Sequence, residues 1–201
     1  DEYLPLLKTR EAVAREMARG RSIGQMLAEL VEPTVQARAV LDIGCCSGTY
    51  LLPFKQRGWE VFGVEPMPAW GDFARRQLGG TDETIVTGHY GPGIFPGRKF
   101  SLILFSHTVE HVPDPIPMLR MMREHLTDDG LLFVATPNLL DPPPIRKSFK
   151  GLLGGDHVRL YSPGALVTVM ARSGFRVRKQ MYFPGGFGIA LLLQSANGVP
   201  D

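Results

Sequence analysis

Two stretches of this chain, Phe100–Phe105 and Leu131–Ala135, are apolar almost without a break. A strand with one wet face alternates apolar and polar side chains. A run this continuous belongs to a strand covered on both faces, which is the situation of strands in parallel sheets flanked by helices. These two segments therefore narrow the possible folds more than any other feature. With 201 residues, the chain is long enough for one such sheet and its own core.

The other segments alternate in the same way. Ala39–Ile43 is a short apolar run ending in a glycine-containing turn, with a helix expected from about Thr49. Glu60–Val64 reads as the second strand, Ala69–Leu78 as the second helix and Thr84–Thr87 as a weak third strand. Met118, Leu119, Met122 and Leu126 form a helical face that ends before Gly130. Ser162-Pro163 is an N-cap with proline at the first helical position, and that helix runs through Leu166, Val169 and Met170 to Gly174. Phe175–Phe183 and roughly Phe187–Leu193, joined by Pro184-Gly185-Gly186, predict a hairpin and so one antiparallel strand. Ahead of the sheet, Ala12, Val13 and Met17 make a weak apolar face that Gly20 interrupts. Ser22 can then cap a second helix carrying Ile23, Met26, Leu27 and Leu30. The expectation is two short helices in a cap over residues 1–36, followed by one α/β domain over 37–201.

Charge and cysteine content exclude several classes. The formal net charge is +2, with 21% charged and 44% hydrophobic residues. No basic run is longer than Arg146-Lys147, and no apolar stretch nears the roughly 20 residues of a membrane span. Neither nucleic acid nor a bilayer is therefore expected as partner. Cys45 and Cys46 are adjacent and staple no loop, so no disulfide framework is expected and a reducing cytoplasm is the natural compartment.

The chemistry begins at Val40-Leu41-Asp42-Ile43-Gly44-Cys45-Cys46-Ser47-Gly48. A strand that turns through small residues into a helix lets a ligand approach the backbone closely. Glu65 follows Gly44 by about 20 residues and ends the second strand, where a carboxylate can accept from both hydroxyls of a ribose. A nicotinamide enzyme would want glycine at the positions that Cys46 and Thr49 occupy, which makes that reading a distant one.

Four segments in this order resemble class I methyltransferases dependent on S-adenosylmethionine (SAM). They are Leu41–Gly48, Phe105–Pro115, Leu126–Asn138 and Asp156–Ser162, and the last is similar to the branch that includes ubiquinone-biosynthesis O-methyltransferases. The resemblance implies a doubly wound, Rossmann-like sheet of seven mostly parallel strands with helices on both faces, and it makes residues 37–201 a SAM-binding methyltransferase domain. It also implies roles. Gly44, Cys45, Cys46 and Gly48 would face the methionine half of SAM, with Asp42 shaping the turn. Glu65 would hold the ribose, and Pro66 and Met67 would line the adenine. Ser106 would lie beside the sulfonium, and Tyr90 would stack on the adenine or offer it backbone. Three positions depart from the pattern. Cys46 replaces a glycine, His89 stands where an acid usually binds the adenine amine, and Ser101 stands where an aspartate commonly precedes strand four.

His107 and His111 lie at the mouth of the fourth strand and His157 beyond the fifth, along the edge where open parallel sheets bind ligands. His111 or His157 is the expected base for a hydroxyl acceptor. His89 is expected at the surface or the adenine edge, and His125 as a favourable charge at a helix C-terminus. His107, Glu110 and His111 share one face if their segment turns helically, and His157 could join them as a fourth metal ligand. That pattern resembles small-RNA 3′-end and ubiquinone-pathway methyltransferases, except that His107 replaces a glutamate. Such a donor set would favour zinc or another transition ion over magnesium. The plainer reading is that Glu110 and His111 brace the floor of the site without metal.

The loop from Asp141 to Asp156 carries Arg146, Lys147 and Lys150, and is expected to act as a lid or to contact an anionic acceptor. The function expected is methyl transfer from SAM to a small molecule, most readily onto a hydroxyl. The alternative is a SAM-binding protein without turnover, acting as sensor or partner subunit, which Cys46 and His89 favour.

Overall fold

The computed structural model describes residues 10–140, 157–183 and 188–196. Its contacts divide the chain into two compact units, residues 1–90 and 91–201. The first holds α1 (Arg10–Val31), β1 (Ala39–Ile43), α2 (Leu51–Gln56), β2 (Glu60–Glu65), α3 (Pro68–Leu78) and β3 (Ile85–Thr87). The second holds β4 (Phe100–Ser106), a 3₁₀ turn at Val109–His111, α4 (Pro115–Glu124), β5 (Leu126–Thr136), α5 (Pro163–Arg172), β6 (Phe175–Phe183) and β7 (Gly188–Ser195). The strands form one seven-stranded sheet in the order β3-β2-β1-β4-β5-β7-β6. This is the doubly wound α/β class that the alternating pattern implies.

In the first unit β1, β2 and β3 run parallel, with Ala39 beside Glu60 and Gly63 beside Ile85. In the second, β4 and β5 are parallel while β7 is antiparallel to both β5 and β6. The segment joining β6 to β7 lies outside the described residues, as does the loop from Asp141 to Asp156. The continuous apolar runs are where burial is most complete: Leu102, Ile103, Leu104, Phe105, Leu132 and Val134 expose nothing. Each such side chain contributes roughly 1.5–3 kcal/mol on leaving water. The edge strand β6 is the opposite case, exposed along Arg176–Gln180.

Two expectations need correction. The N-terminal segment is one 22-residue helix, not two short ones. The helix runs straight through Gly20, where a side chain would meet Thr49 and Tyr50 at about 3 Å, and through Gly24, where one would meet the Tyr50 carbonyl at 2.3 Å. Both glycines mark where α1 lies against the chain entering α2. Ser22 is not a cap: its hydroxyl donates back to the Ala18 carbonyl at 3.1 Å. In the second unit, Leu126 belongs to β5 rather than to the helix before it. Phe100 pairs with Leu126 and Leu102 with Leu131, so an irregularity in β5 extends the strand backwards past Gly130.

Candidate functional site

The turn after β1 is built from left-handed backbone. Gly44 (φ 78°), Cys46 (φ 48°) and Gly48 (φ 72°) alternate with ordinary residues. Gly44 and Cys45 N–H groups donate to the Val64 carbonyl at 2.8 and 3.1 Å, which ties the turn to β2. Gly48 closes the turn with a 2.7 Å bond to the Cys45 carbonyl, and a side chain there would meet Leu78 at 2.8 Å. Cys45 is buried, its sulfur filling the space that Gly63 leaves open, while Cys46 is exposed.

Glu65 is the centre of this unit's polar geometry. It is 5% exposed; Oε2 accepts the Cys46 N–H at 2.8 Å and Oε1 accepts the Met67 N–H at 3.0 Å. Burial raises its pKa, while those two amides and the charge of His89 pull it back. Each carboxylate oxygen keeps a second lone pair, which fits the two hydroxyls of a ribose. Burial, with Glu65 adding to it, pushes Asp42 up to about 8. Loss of solvent around the sulfur, then the Glu65 charge, push the Cys46 thiol up to about 12. Burial keeps Cys45 a neutral thiol near neutral pH. Met67 is half-buried and Pro66 and His89 are exposed; Tyr90 is buried. Trp70, half-buried in the first turn of α3, the helix that Met67 caps, meets Phe73 edge-on at 6.0 Å and is an aromatic that the motif alone does not mark.

The second unit gathers a different set. His107 follows β4 with φ 52° and donates its N–H to the Ala135 carbonyl at 2.8 Å. Glu110, in the 3₁₀ turn, is 1% exposed. Its Oε2 accepts the Thr136 hydroxyl at 3.1 Å, and its Oε1 lies 3.4 Å from His107 Nδ1 and 4.0 Å from His157 Nε2. The His111 and His157 rings meet edge-on at 4.8 Å. The Glu110 backbone carbonyl accepts from Val158 and Arg159, so one residue anchors the whole 157–159 segment. Arg159 in turn holds the Pro113 carbonyl, at 2.7 Å through Nε. Burial opposes the charged form of Glu110, but the hydrogen bond and charge of His107, its own amide and His111 outweigh it and lower its pKa.

The side chains expected at the β4 mouth are therefore together, though not by the route expected. The helical turn covers only Val109–His111, so His107 stands outside it. Ligand atoms of Glu110, His111 and His157 lie within 4.8 Å of one another, and His107 is not in that set. Ser106 is half-buried, its hydroxyl without a hydrogen bond among the described residues. Ser101 lies inside β4, fully buried, rather than ahead of the strand. Thr136, whose hydroxyl bonds Glu110, is a part of this site that the sequence reading does not mark.

The sequence profile of the methyltransferase domain matches residues 13–180. The chain belongs to that family. A ubiquinone biosynthesis O-methyltransferase of Azorhizobium caulinodans is 29% identical over 129 residues, which is 62% of this chain and 48% of the relative. The methyltransferase domain thus spans about half the length of that curated relative. Among solved structures, DesVI of Streptomyces venezuelae superposes with a TM-score of 0.67 at 18% identity, covering 88% of this chain and 92% of its own. Magnesium protoporphyrin IX methyltransferase from Synechocystis PCC 6803, solved with bound S-adenosylhomocysteine (SAH), gives 0.64 at 15%, covering 90% and 85%. At such identities the structures establish the fold. The cofactor of the family is SAM. Among the described residues of this methyltransferase domain, no helix is long and apolar enough to cross a membrane.

Proposed function

We propose that this domain transfers the methyl group of SAM to a small acceptor, most readily to a hydroxyl oxygen. The observation that carries the reading is Glu65, a buried carboxylate fixed by the Cys46 and Met67 amides beside a left-handed glycine turn. Gly44, Cys45, Cys46 and Gly48 would bind the methionine part and Glu65 the ribose. Pro66, Met67 and Tyr90 would serve the adenine, with Ser106 near the sulfonium. Asp42 shapes the turn from beneath. When bound, SAM supplies an electrophilic methyl carbon and leaves as SAH. The protein's share is alignment of the acceptor oxygen with that carbon, where positioning supplies most of the rate. His111 or His157 takes the acceptor's proton. We place the protein in the cytoplasm, in keeping with its free thiols, and read residues 1–36 as a cap whose helix α1 lies over the cofactor turn. Glu16 of α1 acts electrostatically on Cys46, which supports that placement.

Incubating the protein with methyl-labelled SAM and small-molecule extracts tests the activity. Label recovered in an organic product, lost in Glu65→Ala, is the expected result. SAM binding with no transfer to any extract would favour the second reading, a binding protein without turnover, which the strained Cys46 in the turn supports.

The Glu110, His111 and His157 set also suits a divalent ion of the zinc type, whose chemistry would be to acidify a bound hydroxyl. His107 would then brace Glu110 rather than bind. Full transfer by chelator-treated, metal-free protein would remove that role and leave the histidines as bases.

A further inference from the structure

The first unit has an opening at the start of β2, at the far end of that strand from Glu65. β3 is only three residues long and pairs with Gly63–Glu65 alone. Successive residues of a strand turn their N–H and C=O to opposite edges. Glu60 donates to the Arg38 carbonyl on the β1 side and Gly63 to the Thr84 carbonyl on the β3 side, both at 2.8 Å. Val61, two residues before Gly63, therefore turns both of its groups to the β3 side. The chain that would meet them there is diverted into a turn: the Thr84 and Ile85 N–H groups both donate to the Thr81 carbonyl, at 3.1 and 2.9 Å. Among the described residues the Val61 N–H and C=O have no hydrogen-bond partner. Val61 is half-buried and lines a cavity of about 280 Å³, whose apolar walls include Trp59, Leu78 and Ile85. Lys55 donates to the Leu78 carbonyl and so fixes the end of α3 beside it.

We propose that this cavity binds a small planar lactam, the edge presented by a pyridone or a nucleobase, through the Val61 N–H and C=O. A lactam carries N–H and C=O side by side, and it can pair with both groups of one residue as the opposite residue does in an antiparallel sheet. Backbone groups screened from water are costly to leave unpaired, so a ligand that completes both gains from each bond. Its ring then lies among the apolar walls. Only one rung of the ladder is open, because β3 resumes pairing at Gly63. An added peptide strand draws its affinity from several rungs, whereas one ring or a fused pair needs a single one. The volume agrees, lying just below the roughly 300–1,000 Å³ of drug-sized sites. Val61 precedes Glu65 by four residues, roughly 13 Å along the strand, so the site is distinct from the cofactor turn and does not depend on the methyltransferase reading.

NMR titration of nitrogen-labelled protein, with and without SAH, tests this. The probes are 2-quinolone and N-methyl-2-quinolone, which has the same rings and carbonyl but cannot donate. The Val61 amide signal is expected to move saturably with 2-quinolone, whether or not SAH is present. The N-methyl probe should bind about fivefold or more weakly, the worth of the lost hydrogen bond. Val61→Pro removes the N–H and should reduce 2-quinolone binding by a similar factor, with its Tm showing that the variant folds. If that variant does not fold, the two probes on wild type decide alone. No saturable shift at Val61, or equal affinity for the two probes, overturns the proposal. So does a shift centred on the Cys46 and Met67 amides that SAH abolishes, since the probe would then occupy the cofactor turn. Failure of wild type to bind SAH would strike the methyltransferase reading and leave this test intact.

Discussion

Two carboxylates, one in each unit, are almost equally buried and behave oppositely. Glu65 is 5% exposed and its pKa is raised; Glu110 is 1% exposed and its pKa is lowered. Burial alone would raise both. The partners make the difference. Glu65 is held by two neutral backbone amides, with His89 only as a distant charge. Glu110 faces the imidazoles of His107 and His157, with His111 adding its field. On the proposed function, the first would serve a neutral diol and the second protons or cations.

The strongest way to break that contrast is to remove each carboxylate in turn. Glu65→Ala loses two charge-assisted hydrogen bonds to the ribose, each worth roughly 1.5–3 kcal/mol less what water restores. SAH affinity should fall on the order of a hundredfold by calorimetry. Glu110→Ala should leave SAH affinity within about threefold of wild type while abolishing most methyl transfer. Equal loss of SAH binding in both variants would mean that the two carboxylates do not divide the work.

Asp42 sharpens the comparison inside the first unit. Its folded pKa, about 8, stands well above the ordinary 3.8, because burial and then Glu65 disfavour the charged form. The folded protein therefore holds this proton more tightly than the unfolded chain. Its favourable contribution is complete below about pH 4 and is lost as pH rises toward 8. Asp42→Asn does not titrate, so its Tm relative to wild type should climb between pH 4.5 and 8 and then level off. A difference that stays constant across that range would mean that Asp42 is already ionised there in the folded protein.

The two halves were also unequally legible in the sequence. In the first, a strand, a glycine turn and an acid about 20 residues on are local features, and their order along the chain nearly dictates their geometry. In the second, the grouping depends on a 3₁₀ turn three residues long and on a hydrogen bond from Val158 to the Glu110 carbonyl, neither of which has a periodic signal. The spacing of His107, Glu110 and His111 suggested one helical face. The backbone reaches a similar cluster by other means, with His157 in place of His107. Gly20 misled for a related reason: a helix-breaking residue was indistinguishable from one that lets another segment come close.

The smallest expected effect concerns Cys46, the residue that separates this turn from the family pattern. It sits at φ 48°, where a side chain costs about 1 kcal/mol or more and glycine costs little. Its N–H is also the one that Glu65 Oε2 accepts, so backbone strain at Cys46 and the position of the Glu65 carboxylate are linked. Cys46→Gly should relieve the strain and widen the turn, tightening SAH binding by about fivefold. Gains from relieved strain and lost loop rigidity oppose each other, because glycine also has more freedom to lose on folding. The distinguishing measurement is Tm with and without SAH. If strain dominates, the SAH-induced rise in Tm grows in Cys46→Gly while the unliganded Tm changes by no more than a few degrees. Weaker SAH binding in Cys46→Gly would show that the side chain contributes to the cofactor contact, and that this turn recognises its ligand differently from a glycine-rich one.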